Sequence, residues 1–247
     1  MTPPADRASH SPRRRSVFTS RLTRTGPDGP ARVLDDVRDA ILRGDEPPGT
    51  VIPIDAVARF FGVSTIPVRE ALKVLSGEGL VEHTPHVGYS VAKLTYPEFR
   101  ELYDVRQALE SSALRAAVRH ATEDDVALVS SVHAEMDAAL AAQDERAYHL
   151  ASRRFHLLLI EPSGMQRLVH MYAAAWNMTE PARPMARVPA AGRATFVHDH
   201  AAMLAAYVAR DADLVVARSD AHYDHLREGI ATFADDPDVF RVPSSDI

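Results

Sequence analysis

Arg69 and Lys73 stand four residues apart in the stretch "STIPVREALKVLSGEGLV", behind two small hydroxyl residues, Ser64 and Thr65. On a helix this spacing puts both cations on one face, while Val68, Leu72 and Leu75, at steps of four and three, face another way. A guanidinium can pair bidentately with guanine O6 and N7, which carries about 1–3 kcal/mol of discrimination. An ammonium one turn further along suits a phosphate. These residue types support contact with base edges and phosphates. The competing reading is a solvated surface on which Arg69 pairs with Glu70 or another nearby acid.

A second set of residues could hold a metal. Cysteine is absent and histidine occurs twelve times, so disulfides and thiolate sites are excluded, and a transition metal would need His, Asp, Glu or water. Nothing in the chain approaches the roughly 18–20 apolar residues of a membrane span, and the N-terminus has arginines without the apolar run of a signal peptide. The expectation is a cytoplasmic, nucleoid-associated protein with no membrane partner.

Upstream of Arg69, Val33, Leu34, Val37, Ile41 and Leu42 fall on one helical face, which Gly44 and "EPPG" bring to an end. Asp55 is expected to cap a short second helix through Val57, Phe60 and Phe61, closed by Gly62, which is also expected to let the second and third helices approach closely. Ser64 or Thr65 caps the third, and Gly77 and Gly79 stop it. "LVEHTPHVGYSVAKL" then alternates around a Pro-His-Val-Gly turn, as a two-stranded wing does. A short helix, a tight turn and a second helix followed by a hairpin make a winged helix-turn-helix. Its recognition helix would offer Ser64, Thr65, Arg69 and Lys73 to the major groove, and its wing would bring His86 and Gly88 to the minor groove or backbone.

From Thr95, which can cap with Glu98 three residues on, the pattern is helical throughout. Segments at 97–120, 123–142, 144–161, 164–178, 194–210 and 212–233 are separated by turn signals and a proline-rich stretch from Pro181 to Pro189. The fold class is mainly α. The expected organisation is a basic, disordered arm over 1–30, a winged helix-turn-helix over 31–94, an all-helical domain of six to seven helices over 95–233 and a tail over 234–247.

The net charge of -6 is unevenly spread. Residues 1–30 hold six Arg against Asp6 and Asp28, whereas residues 31–95 hold seven Lys/Arg against nine Asp/Glu. A DNA-binding module with that balance draws little on counterion release, so Arg13, Arg14 and Arg15 either supply missing phosphate or minor-groove contacts or belong to a solvated tail.

Taken together, "GVSTIPVREALKVLSGEGLVEHTPHVGYSV" resembles the DNA-binding segment of GntR-family transcription regulators. "FRELYDVRQALE" with the helices after it resembles their FadR subfamily with an FCD-type effector domain. The resemblance covers residues 31–233. It implies a homodimeric, metabolite-responsive repressor or activator on a near-palindromic double-stranded DNA operator, and not an enzyme. It also implies that Arg106 meets a small carboxylate effector, for which its planar fork is suited; the competing role is an i,i+4 pair with Glu110.

The resemblance further implies a divalent metal, Zn, Ni, Fe or Mn, on His156, His200 and His222. Three departures accompany it. Thr65 stands where the family commonly has Arg, Asp55 where a basic residue is frequent, and Ser152 where many members have a metal-binding Asp, so water would fill that position. Met165, in "PSGMQRL", stands where Asn is usual. Two further readings follow: a regulator that has lost effector or metal sensing, and a metal-dependent enzyme in which a three-His ion activates water. His149 lies too far along its helix to share the ion, Asp199 projects about 100° from His200, and His198 and His225 are surface or supporting groups.

Overall fold

The computed structural model describes residues 18–20, 22, 30–44, 46–188 and 190–242. Three helices open the chain: α1 (Pro30–Leu42), α2 (Ile54–Phe61) and α3 (Thr65–Gly77). Their apolar faces meet in one core, where Val33, Val37, Ile41, Val57, Val68, Leu72 and Leu75 are buried. Each such aliphatic contributes about 1.5–3 kcal/mol on leaving water.

Between α2 and α3 the chain turns through Gly62, which adopts φ 67° and donates its N–H to the Arg59 carbonyl at 3.3 Å. A Cβ on Gly62 would meet nothing within 4 Å, so glycine serves the left-handed turn there and not the close approach of helices expected from the sequence. Asp55 also departs from expectation. α2 begins two residues earlier, Pro53 occupies the N-cap, and Asp55 falls inside the first turn, where its charge still favours the positive helix end. Ser64 is the N-cap residue of α3, though its side chain makes no capping bond.

The wing has three strands rather than two. β2 (Val81–Thr84) and β3 (Gly88–Val91) form the expected hairpin, and β1 (Val51–Ile52) adds to the other edge of β3, giving the order β1-β3-β2 with Val51 opposite Ser90 and His83 opposite Tyr89. Two residues are too few for a period-2 pattern, which is why β1 left no mark in the sequence.

Part of the expected arm is also ordered. Phe18–Ser20 form a 3-10 turn, and Phe18 and Leu22 are buried in the same core. Arg13, Arg14 and Arg15 lie outside the described residues.

Four residues after β3, α4 (Tyr96–His120) begins with the anticipated capping box. The Thr95 hydroxyl accepts from the Glu98 N–H, and the Glu98 carboxylate accepts from the Thr95 N–H at 2.7 Å. The helices α5 (Glu123–Ala141), α6 (Glu145–Ile160), α7 (Gln166–Thr179), α8 (Pro184–Arg187), α9 (Ala190–Val208) and α10 (Ala212–Ala231) follow. α4 packs on α7 and α10, α5 on α6, and α9 on α10. The proline-rich stretch becomes a 3-10 turn (Glu180–Ala182) and the four-residue α8.

The C-terminal segment folds back. Val239 and Phe240 are buried against Phe99 and Tyr96, and Arg241 N–H donates to the Leu94 carbonyl at 2.8 Å. Among the described residues no helix is long and apolar enough to cross a membrane.

Candidate nucleic-acid face and buried histidine chamber

On α3, burying Val68, Leu72 and Leu75 turns the opposite face outward. Ser64 and Arg69 are exposed, Thr65 is half-buried, and Ile66 has 69% of its surface in solvent. Glu70 takes Lys73 as its partner, at 2.8 Å, while Arg69 has no ion pair among the described residues. The Arg69–Glu70 pairing considered from the sequence is thus not the one formed.

At the wing tip His86 adopts φ 64° and is exposed, Val87 is 54% exposed, and Gly88 follows with φ 110°. The six residues singled out for DNA contact therefore lie on α3, its N-cap and the wing. Ile66 and Val87 were not anticipated; large apolar side chains left in solvent beside them can meet thymine methyl groups or sugars.

The second site is internal. His156 on α6, His200 on α9 and His222 on α10 are each at most 2% exposed, and each offers a ring nitrogen within 4.8 Å of the others. Each ring is tethered at Nδ1. His156 Nδ1–H donates to Glu110 at 2.7 Å, His200 Nδ1 meets the Tyr148 hydroxyl at 3.3 Å, and His222 Nδ1–H donates to Asp199 at 3.2 Å. The three Nε2 atoms are left for the centre, and those of His156 and His200 are 3.1 Å apart.

Burial pushes His200 well below the usual imidazole range and His222 down to about 4, the Asp199 carboxylate opposing the shift at His222 only in part. Both are therefore neutral at pH 7. Three tethered imidazoles whose ring nitrogens converge are a donor set that suits a divalent first-row ion. Ser152 lines the same chamber, 7% exposed, and supplies no negative charge, so the set is three imidazoles with room for water.

Arg106 is 2% exposed, its guanidinium 3.5 Å above the Trp176 ring and 4.6 Å from that of Tyr103, and its Nε has no hydrogen-bond partner. Burial works against its charge, but the oxygens of Tyr223, Tyr172, Tyr103 and Glu110 outweigh that, and it remains a cation. The i,i+4 pair between Arg106 and Glu110 weighed from the sequence is not formed. Glu110, fully buried, instead accepts from His156, from Tyr172 at 2.8 Å and from Tyr223 at 2.6 Å. Burial would raise its pKa, yet His156 and the two hydroxyls hold it below the ordinary carboxylate value.

Asp199 carries a role that sequence spacing did not suggest. It accepts from His222 and, at 2.9 Å, from His225, one turn apart on α10. His149 is occupied elsewhere, bonded to Glu180, and His198 is exposed.

Residues 31–91 match the family model described as bacterial regulatory proteins, gntR family, and residues 101–225, half of the chain, match the FCD domain. Among curated proteins, the chain is 28% identical over 139 residues to an uncharacterized HTH-type transcriptional regulator, YdhC, of Bacillus subtilis. It is 30% identical over 151 residues to the gluconate operon transcriptional repressor of the same organism. These alignments cover 56% and 61% of the chain and 62% and 60% of the relatives, so the chain spans about three-fifths of their length. Among solved structures, E. coli McbR/YncC aligns with a TM-score of 0.72 at 22% identity, over 83% of this chain and 97% of that one, a likeness of fold.

Proposed function

The chain belongs to the GntR family of bacterial regulatory proteins, with an FCD domain behind the DNA-binding module, and from that premise we propose that it is a metabolite-responsive transcription regulator. In this reading residues 31–94 bind an operator and residues 95–233 bind the effector. The observation that carries it is the outward face of α3, where Arg69 stands exposed without an ion-pair partner among the described residues, at the helix end that enters a major groove. A homodimer would set two such helices about one turn of DNA apart on a near-palindromic site. Repression is the favoured mode.

The effector is a small carboxylate. Its supporting observation is Arg106, a buried cation with an unpartnered Nε at the edge of the histidine chamber. His156, His200 and His222 would hold a divalent ion, Zn, Ni, Fe or Mn, which supplies a Lewis-acidic centre able to take a ligand oxygen. Tyr148, Glu110 and Asp199 orient the imidazoles.

The enzyme reading gains no support from this arrangement. The buried carboxylates nearest the centre, Glu110 and Asp199, are engaged with the outer nitrogens of the imidazoles, so neither is placed as a general base at the coordination centre. Loss of sensing is disfavoured because every imidazole of the trio keeps an outer partner despite Ser152.

The test is selection of bound sequences from random double-stranded DNA with the full-length protein and with Arg69→Ala. Recovery of an inverted repeat, with preference relaxed at one position per half-site in the variant, is the expected outcome. No enrichment at moderate salt would refute the regulator reading.

A further inference from the structure

Three cavities meet at α8. The histidine chamber has a volume of about 20 Å³, room for about one water. Beside it lies an outer cavity of about 230 Å³ bordered by Leu140, Gln143, Tyr148 and Arg193. The third, about 30 Å³, is a cleft between the end of α1 (Leu42, Arg43) and the helical domain (His149, Glu180, Arg183). Met185 is the one residue among those described as lining them that borders all three.

We propose that Met185 sets the size of ligand the histidine chamber admits, and that its displacement is relayed to the DNA-binding module through Arg183 and Gly44. The inference rests on the reading that a carboxylate metabolite occupies this chamber.

A space for one water does not hold a carboxylate ligand, so some wall must move. Most walls are fixed. Tyr148 is hydrogen-bonded to His200, the imidazoles are tethered at Nδ1, Trp176 lies under Arg106, and Phe196 is buried. Met185 is half-buried, unbranched and has three rotatable bonds, which makes it the cheapest side chain to displace. Moving it would join the inner chamber to the outer cavity.

The consequence for the rest of the molecule follows from what α8 is tied to. Arg193 Nη1 donates to the Met185 carbonyl at 3.4 Å and the Val188 carbonyl at 3.0 Å, so the short helix moves with its flanks. Arg183, two residues before Met185, is the N-cap of α8 with φ 45°. Its stem lies against Gly44 so closely that a Cβ there would come within 2.6 Å of both Cγ and Cδ.

Gly44 ends the turn that follows α1, and α1 packs directly on the recognition helix α3, the Arg38–Glu78 ion pair at 2.7 Å lying across that contact. The module touches the helical domain at a second glycine. A Cβ on Gly79 would fall 2.6 Å from Met178 Cε, on α7. One of these contacts belongs to α8, which the ligand must disturb, and the other to α7, which packs on α4; the wing is tied separately to the C-terminal segment, where Arg241 lies 3.6 Å from Glu82 and Lys93 Nζ donates to the Pro237 carbonyl. Displacing the α8 contact while the others hold turns the winged helix relative to the effector domain. Such a relay works only to the extent that ligand binds the two arrangements unequally.

The experiment uses full-length, zinc-saturated protein, with formate and succinate as probes, read by titration calorimetry and by hydrogen exchange at Arg43 and Gly44. Succinate is expected to bind about tenfold more tightly to Met185→Ala than to the parent protein, with formate changed less than twofold. In the parent, succinate is expected to change exchange at Arg43 and Gly44. In Arg183→Ala it should bind within twofold of the parent but leave those two amides unaltered.

Equal succinate affinity in Met185→Ala and the parent overturns the gate. A change at Arg43 and Gly44 that persists in Arg183→Ala overturns the relay. Succinate binding with exchange altered only around the histidines leaves the chamber reading standing and removes this inference. Binding by neither protein removes both.

Discussion

On α3, Arg69 stands in solvent with no ion pair among the described residues, and Ile66 beside it is 69% exposed. On α4, Glu110 is fully buried and accepts three hydrogen bonds, from His156, Tyr172 and Tyr223. The first region leaves polar and apolar groups unsatisfied at little cost, because water covers them until a partner arrives. The second has no such freedom, since an unpaired charge at that depth costs several kcal/mol. Groups on an exposed surface can therefore change one at a time, whereas a buried chamber of this kind is a network whose members depend on one another.

This contrast can be broken by mutation. Glu110→Ala should show the largest effect, a loss of about 3–5 kcal/mol in stability, because it strands His156, two hydroxyls and the Arg106 charge in the interior. Urea denaturation measures it, and Arg69→Ala in the same assay should stay within about 0.5 kcal/mol of the parent. Comparable losses in both variants would erase the distinction.

Removing an outer tether should weaken metal binding without removing a ligand. Asp199→Ala is expected to lower zinc affinity by about 10–100-fold in a competition titration with a chelator; an unchanged affinity would mean that the Asp199 contact does not orient His222. Next in size, Arg69→Ala is expected to cost about 1–3 kcal/mol of discrimination at one base pair per half-site, measured with matched and mismatched duplexes.

Acid should act on the chamber before the surface. His222 stays neutral in the folded protein down to about pH 4 because it is buried, while in the unfolded chain a histidine takes its proton near 6.5. The unfolded state then binds more protons across that window, so stability falls as pH drops from about 6.5 to about 4. Urea midpoints at pH 7 and pH 5 check the slope, which should flatten in His222→Gln. The smallest expected change is that of Lys73→Ala, whose exposed pair with Glu70 should leave the urea midpoint unchanged; a lowered midpoint would show that α3 depends on its outward face.

What could be read in the sequence follows the same division. Helical periodicity and caps placed every long helix within a few residues, since those signals are local, and Thr95 with Glu98 formed the anticipated capping box. The outward face of α3 was legible because its inward positions fix the outward ones. The histidine trio was visible only through resemblance, and its outer partners were not visible at all. Glu110, Tyr148 and Asp199 lie 46, 52 and 23 residues from the imidazoles they hold, and no helical period connects them. Likewise β1 was too short to signal itself, and the position of Met185 at three cavities depends on packing around α8.

We expect the chamber to hold a metal independently of the outward face of α3, and native mass spectrometry of zinc-treated full-length protein reads this out directly. The parent and Arg69→Ala should each carry one zinc per chain, and His200→Ala none. Absence of zinc from the parent, or its retention in His200→Ala, would contradict the claim.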